Sequence, residues 1–225
     1  MDSEPGPAVR YKKRQRDRLI ALAAERADWV VGYQDEVGPV PAQWWSRFAQ
    51  PSMHAWADDP LRLVQRHKRR DDPEPAALAC YGVYVPAWPA EPASGASMLL
   101  RFVRGRPVSH VTTTFLSWAS RRMAARGVRV WVLVWDNAPW HVSAEVRAWL
   151  RSHNEAVKRR GRGVRILACG LPTRSPWLNP IEPKWLHGKR ATCEPDGEIA
   201  TMALRQRLCA HYGCENLSVI KQKTA

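Results

Sequence analysis

Val128-Arg129-Val130-Trp131-Val132-Leu133-Val134-Trp135-Asp136-Asn137-Ala138-Pro139-Trp140-His141 is the stretch on which the fold turns. It is apolar for nearly its whole length and then ends on a carboxylate. Val128, Val130, Val132 and Val134 fall on one face of a strand, and Asp136 continues that face. Trp131, Leu133 and Trp135 fill the other face, with Arg129 at its outer end. Both faces are apolar, which predicts a central strand covered on each side. An Asp at the end of a buried strand needs a use, because an unpaired buried charge is costly. Two uses are open. Asp-Asn shortly before a Pro starts a turn, and a carboxylate at the lip of a sheet binds metal.

Working outward, Val142, Val146, Trp149, Leu150, His153 and Val157 recur at helical spacing, which predicts a helix from about Ser143 to Arg159 capped by Gly161. Val164 to Cys169 is a further short strand, so strand, helix and strand form a right-handed βαβ unit. Before the central strand, Thr112 to Arg126 is helical, with Phe115, Leu116, Ala119 and Met123 on one face and Gly127 as the stop. Trp29 to Glu36 reads as the first strand. Leu61 to Gln65, Ala76 to Val85 and Met98 to Val103 read as further strands of an antiparallel meander. Gln43 to Gln50 is a short irregular piece. Arg10 to Ala27 is a helix, basic in its first half, with Leu19, Leu22 and Ala23 as its apolar stripe. Near the other end, Asn179 and Pro180 form an N-cap and first-turn pair that opens a late helix. Glu182 then lies at that helix's start, where a capping-box role is also open to it. Thr201 to Tyr212 is a last helix.

The chain has 225 residues, with 35 Lys and Arg against 21 Asp and Glu, for a formal charge of +14. Such an excess points to a polyanion, of which nucleic acid is the commonest. No apolar run is long enough to span a bilayer. The acidic, Pro-rich start from Met1 to Pro7 is not a signal peptide, and a reducing cytoplasm, with association to the nucleoid, is expected. Cys80, Cys169, Cys193, Cys209 and Cys214 are odd in number and show no CxxC pairs, so they read as reduced, mostly structural cysteines. Cys209, His211 and Cys214 lack the fourth ligand and the spacing of a zinc site.

Asp35 ends the first strand, Asp136 ends the buried one, and Glu182 opens a helix after the crossover. If the first strand pairs with the central one, Asp35 and Asp136 meet at one lip, and the late helix brings Glu182 over it. Hard divalent cations need oxygen ligands of this kind. Two such ions about 3.5–4 Å apart activate a water and stabilise a leaving oxygen at phosphorus. Glu36 alternates onto the opposite face from Asp35, so Asp35 is the expected ligand.

WDNAPWH at Trp135 to His141 and LPTRSPWLNPIEPKW at Leu171 to Trp185 resemble the second and third signatures of the mariner-like bacterial insertion-sequence transposases, of the DDE endonuclease superfamily. Asp35-Glu36 matches the family's first signature, and WWSRFAQPSMHAWADD from Trp44 to Asp59 is also similar. The resemblance runs from about Tyr11 to Cys214. It implies an α/β, RNase H-like fold: a mixed five-stranded sheet, three antiparallel strands and then parallel ones, with helices on both faces. It implies that Asp35, Asp136 and Glu182 bind two Mg²⁺ ions, with Mn²⁺ as a substitute. It also implies hydrolysis of double-stranded DNA at the terminal repeats and strand transfer into target DNA.

Residues 1–27 are expected to be a basic helical arm left from an N-terminal DNA-binding region, 28–215 the catalytic domain and 216–225 a tail. Forty-five residues separate Asp136 from Glu182 (182 − 136 − 1 = 45), a long interval for mariner relatives, filled by the long helix and the basic turn Lys158 to Arg165. Only Arg10 to Ala27 stands where the family carries its helix-turn-helix reader. The chain therefore looks like a truncated copy or one product of a split gene, acting as a homodimer or with full-length transposase. The alternative is a catalytically incompetent remnant that binds DNA or full-length transposase. Asn137, His141 and Asn179 are candidates for orienting a ligand. Lys12, Lys13 and Arg14 on the arm, and Lys184, Lys189 and Arg190 on the late helix, are candidates for phosphate contacts. Trp140, Trp177 and Trp185 are candidates for lining a DNA channel.

Overall fold

A computed structural model describes residues 7–40, 78–89, 95–104, 106–172, 175–192 and 201–220. The expected strand Leu61 to Gln65 and the irregular piece Gln43 to Gln50 lie outside these residues. The strands are β1 (Trp29–Val40), β2 (Leu78–Val85), β3 (Ser97–Arg104), β4 (Val130–Trp135) and β5 (Arg165–Gly170). The helices are α1 (Pro7–Ala24), α2 (Ser109–Ala124), α3 (Ala144–Arg160), α4 (Ile181–Thr192) and α5 (Thr201–His211). One five-stranded sheet has the order β3-β2-β1-β4-β5.

The central strand forms as its sequence dictates. Trp131, Val132, Leu133, Val134 and Trp135 are all buried, so both faces of β4 are covered. It pairs in parallel with β1 (Trp29↔Val130 through Tyr33↔Val134) and with β5 (Val130↔Arg165 through Trp135↔Gly170). Gly32 admits the indole of Trp131, whose Nε1 lies 3.4 Å from the Gly32 carbonyl. A Cβ at that glycine would sit 2.5 Å from the same nitrogen and 2.9 Å from Val83 Cγ1.

Helix α3 starts where Ser143 Oγ accepts the Val146 amide and stops at Gly161, whose φ of 62° is left-handed. Helix α2 begins at Ser109, earlier than the expected Thr112. The run Val-Thr-Thr-Thr looks unfavourable to a helix because branched side chains lose rotamers. Here the hydroxyls bond back into the first turn, Thr112 to the Val108 carbonyl and Thr113 and Thr114 to that of His110. The buried stripe of α2 runs Val111, Thr112, Phe115, Leu116, Ala119, Ser120 and Met123.

The chain divides into two compact units. The first comprises Met1–Asp35, Gly82–Leu99 and Val108–Glu182, and the second Glu36–Tyr81, Leu100–Pro107 and Pro183–Ala225. In the first, α1 packs on β4 and β5, and α3 packs on β5 and α2. In the second, Cys80, Tyr81, Phe102, Trp185, Leu208 and Cys209 are buried. There the Ile220 amide donates to the Phe102 carbonyl at 2.7 Å, and the Tyr212 hydroxyl donates to the Lys184 carbonyl. Among the described residues no helix is long and apolar enough to cross a membrane.

Candidate active site

Asp35 and Asp136 each stand two residues beyond the paired step Tyr33↔Val134. The pleat therefore carries both to the same face, Asp136 just past the end of β4 and Asp35 within β1, which runs on to Val40 rather than ending at Glu36 as expected. Glu36, one residue on, belongs to the second unit and lies near Cys80, whose thiol its charge helps to push up behind the larger effect of burial.

The start of α4 is fastened to the same place. Asn179, 2% exposed, donates from Nδ2 to the carbonyl of Gln34 at 3.2 Å. Gln34 immediately precedes Asp35. The Asn179 carbonyl accepts the Glu182 amide at 3.1 Å. This corrects the expected N-cap: the Asn179 amide ties the helix start to β1. Glu182 thus opens α4, exposed, one turn from a residue pinned beside Asp35.

Around Asp136 the local bonds are well defined. Its Oδ1 accepts the Ala138 amide at 2.9 Å, the Asx turn that Asp-Asn-Ala-Pro predicts. The same oxygen lies 2.7 Å from Nδ1 of His141. His141 is 1% exposed and stacks on Trp135, with centroids 4.6 Å apart. Burial favours the neutral acid at Asp136, but the bonds from His141 and Ala138 and the His141 charge outweigh it and hold the carboxyl below its ordinary value. Asn137 donates from Nδ2 to the Leu171 carbonyl at 2.5 Å, joining the loop after β4 to the loop after β5.

The arm helix reaches this end of the sheet. Lys12 Nζ lies 3.3 Å from Asn137 Oδ1 and 3.5 Å from the Leu171 carbonyl, whereas Lys13 and Arg14 are exposed. Arg16 donates from Nη1 to the Leu178 carbonyl at 3.1 Å. Arg16 was not singled out in the sequence. The signal was present, since positions 12, 16, 20 and 23 share one helix face and three of them are half-buried before the buried Ala23. Of the candidate channel residues, Trp177 is 76% exposed, Trp140 is half-buried, and Trp185 is buried in the second unit edge-on to Tyr212. Trp185 is therefore a core residue. Lys184 and Lys189 are half-buried on α4.

Among the described residues no three His, Cys, Asp or Glu side chains close into a metal-binding group as they stand. The donor chemistry at the lip nevertheless fits a hard cation. All three acids are carboxylates, and the Asp136 side chain is 54% exposed, with both of its described bonds on Oδ1 and Oδ2 left over.

Residues 104–196 match the family described as DDE superfamily endonuclease. That segment includes Asp136 and Glu182 and leaves Asp35 outside it. No curated protein matches the chain in sequence. The fold is similar to the catalytic domain of Mos1 mariner transposase, at a TM-score of 0.51 and 12% identity over 96% of this chain and 86% of that one. It is also similar to the Mos1 transposase catalytic domain solved with raltegravir and Mg, at 0.52 and 12% over 95% and 86%. A third likeness is to Mos1 transposase in a paired-end complex with the left transposon end, at 0.52 and 13%. The chain spans 57% of the length of that last protein while 96% of its own length is covered. The architecture is thus similar to that of the Mos1 transposase catalytic domain, an RNase H-like fold, and residues 104–196 match the family of DDE superfamily endonucleases.

Proposed function

We propose that this chain is the catalytic domain of a DNA transposase. It hydrolyses phosphodiester bonds at transposon ends and joins the freed ends to target DNA. The observation that carries this reading is the β1–β4 register, which sends Asp35 and Asp136 to one lip, with Asn179 fastening the start of Glu182's helix beside them. Asp35, Asp136 and Glu182 would hold two divalent cations, Mg²⁺ or Mn²⁺. When bound, such ions activate the attacking oxygen and stabilise the leaving one. In the first reaction water attacks phosphorus and the P–O3′ bond breaks, releasing a 3′-OH. In the second that hydroxyl attacks a target phosphodiester and displaces a new 3′-OH. His141 holds the Asp136 carboxylate charged through a bond to Oδ1, which would leave Oδ2 to a cation. Double-stranded DNA is the substrate and target, which agrees with the transposon-end and strand-transfer complexes among the similar structures. Lys13 and Arg14 face the DNA, and two copies, or one copy with a full-length transposase, pair the two ends.

The test is Mg²⁺-dependent nicking of duplexes that carry the matching terminal repeats. Asp35→Ala, Asp136→Ala and Glu182→Ala should each lower nicking at least about 100-fold, the scale set by losing a metal-held transition-state contact, with circular dichroism unchanged. Glu36→Ala should retain activity. Undiminished nicking by Asp136→Ala would sink the assignment of the site.

A further inference from the structure

The opposite end of the sheet carries chemistry that the carboxylate lip does not use. Three loops meet at the amino ends of the parallel strands: the one before β1, the one before β4 and the one before β5. Hydrogen bonds stitch them together. The Arg129 amide donates to the Asp28 carbonyl at 2.7 Å, the Arg165 amide to the Arg129 carbonyl at 2.9 Å, and Arg129 Nη2 to the Gly161 carbonyl at 2.7 Å. Exposed on or beside these loops are Arg129, Lys158, Arg159, Arg160, Arg162 and Arg165. The exposed acids there are Glu25 and Asp28.

Part of this charge has a local reason. Lys158, Arg159 and Arg160 lie in the last turn of α3, where cations complement the helix dipole. Arg129, Arg162 and Arg165 lie outside any helix, so the dipole does not account for them. The platform is also held firmly. Asn154 on α3 donates from Nδ2 to the Ile166 carbonyl at 2.9 Å and accepts the Ile166 amide at 2.8 Å, while His153 Nε2 lies 2.8 Å from the Val164 carbonyl.

Dimensions separate this surface from the lip. Seven residues of extended chain from Arg129 to Asp136 span about 23 Å at ~3.3 Å each, so a phosphate at the carboxylates does not touch it. The two inter-strand gaps from β1 to β5 span about 10 Å, the axial rise of about three base pairs of a duplex at ~3.4 Å each.

We propose that the amino end of the sheet is a second phosphate-binding surface, which holds duplex DNA at a distance from the reacting bond. The inference rests on the transposase reading for its choice of duplex DNA, but its test needs no catalysis. The full chain carrying Arg159→Glu, Arg160→Glu and Arg162→Glu is compared with wild type for binding a labelled 30-bp duplex in EDTA across a salt series. The expected results are about tenfold weaker binding near 0.1 M salt and a log–log salt slope shallower by about 2–3, the loss of that many phosphate contacts. Saturating duplex should also shield Lys158 from acetylation, in wild type and in Asp136→Asn alike. Should the reversed variant misfold by circular dichroism, the Arg→Gln triple replaces it with the same expectation in smaller measure. Unchanged affinity and slope in a folded variant, or Lys158 acetylated at its free rate under saturating duplex, overturns the proposal. Nicking by Asp136→Asn is scored separately, so failure of the catalytic reading leaves the binding result standing.

Discussion

At Asp136, burial and hydrogen bonding pull in opposite directions, and the bonds from His141 and the Ala138 amide win. The folded carboxyl therefore lies below its unfolded value of about 4. Stability from this arrangement is fully present above that value and is lost as the pH falls through the lower folded one. His141→Phe keeps a ring on Trp135 but removes the bond to Oδ1. Carboxyl titration by NMR should then show Asp136 moving upward, because only the Ala138 amide is left to oppose burial. The difference in unfolding midpoint between wild type and variant should shrink between pH 6 and pH 3. An Asp136 carboxyl that titrates at the same pH in both proteins would remove His141 from the site. The sequence offers His141 as a candidate for orienting a ligand. Only tertiary placement, a buried imidazole on a tryptophan, decides that it meets Asp136.

The elements that were legible are those whose period is clean. Strand β4 is apolar on both faces, and α3 has a stripe, an N-cap serine and a glycine stop, so their ends lie within about two residues of those expected. Helix α2 hid its first turn because three threonines look strand-like until their hydroxyls find carbonyls. The braces at the lip were harder still. Lys12 and Arg16 bond to carbonyls or amides more than 120 positions away, and no local pattern encodes that. Packing between strands was equally hidden, and Gly32 is its sharpest case. In Gly32→Ala the new methyl would collide with Trp131 Nε1 and Val83 Cγ1, both in the buried sheet. The expected cost is about 1–3 kcal/mol for overpacking, seen as a fall of about 2–10 °C in thermal midpoint for a chain of this size. A midpoint within 1 °C of wild type would mean that the indole moves aside freely.

Across the whole molecule, a charge of +14 keeps copies apart at low salt, and added salt weakens that repulsion. What remains then is the sheet itself, which ends on β3 and β5. Alternate residues of a parallel strand aim both amide and carbonyl outward, and Ile166 is one of them on β5. Asn154 fills that place with its own amide, taking the Ile166 carbonyl and amide as an incoming backbone would. Removing it in Asn154→Ala bares the pair, and sedimentation at raised salt should show larger species than wild type forms at the same concentration. Equal distributions would mean that another feature guards the edge. One side-chain amide thus stands in for one step of a sixth strand, and leaves Ile166 no free backbone group to offer an incoming chain.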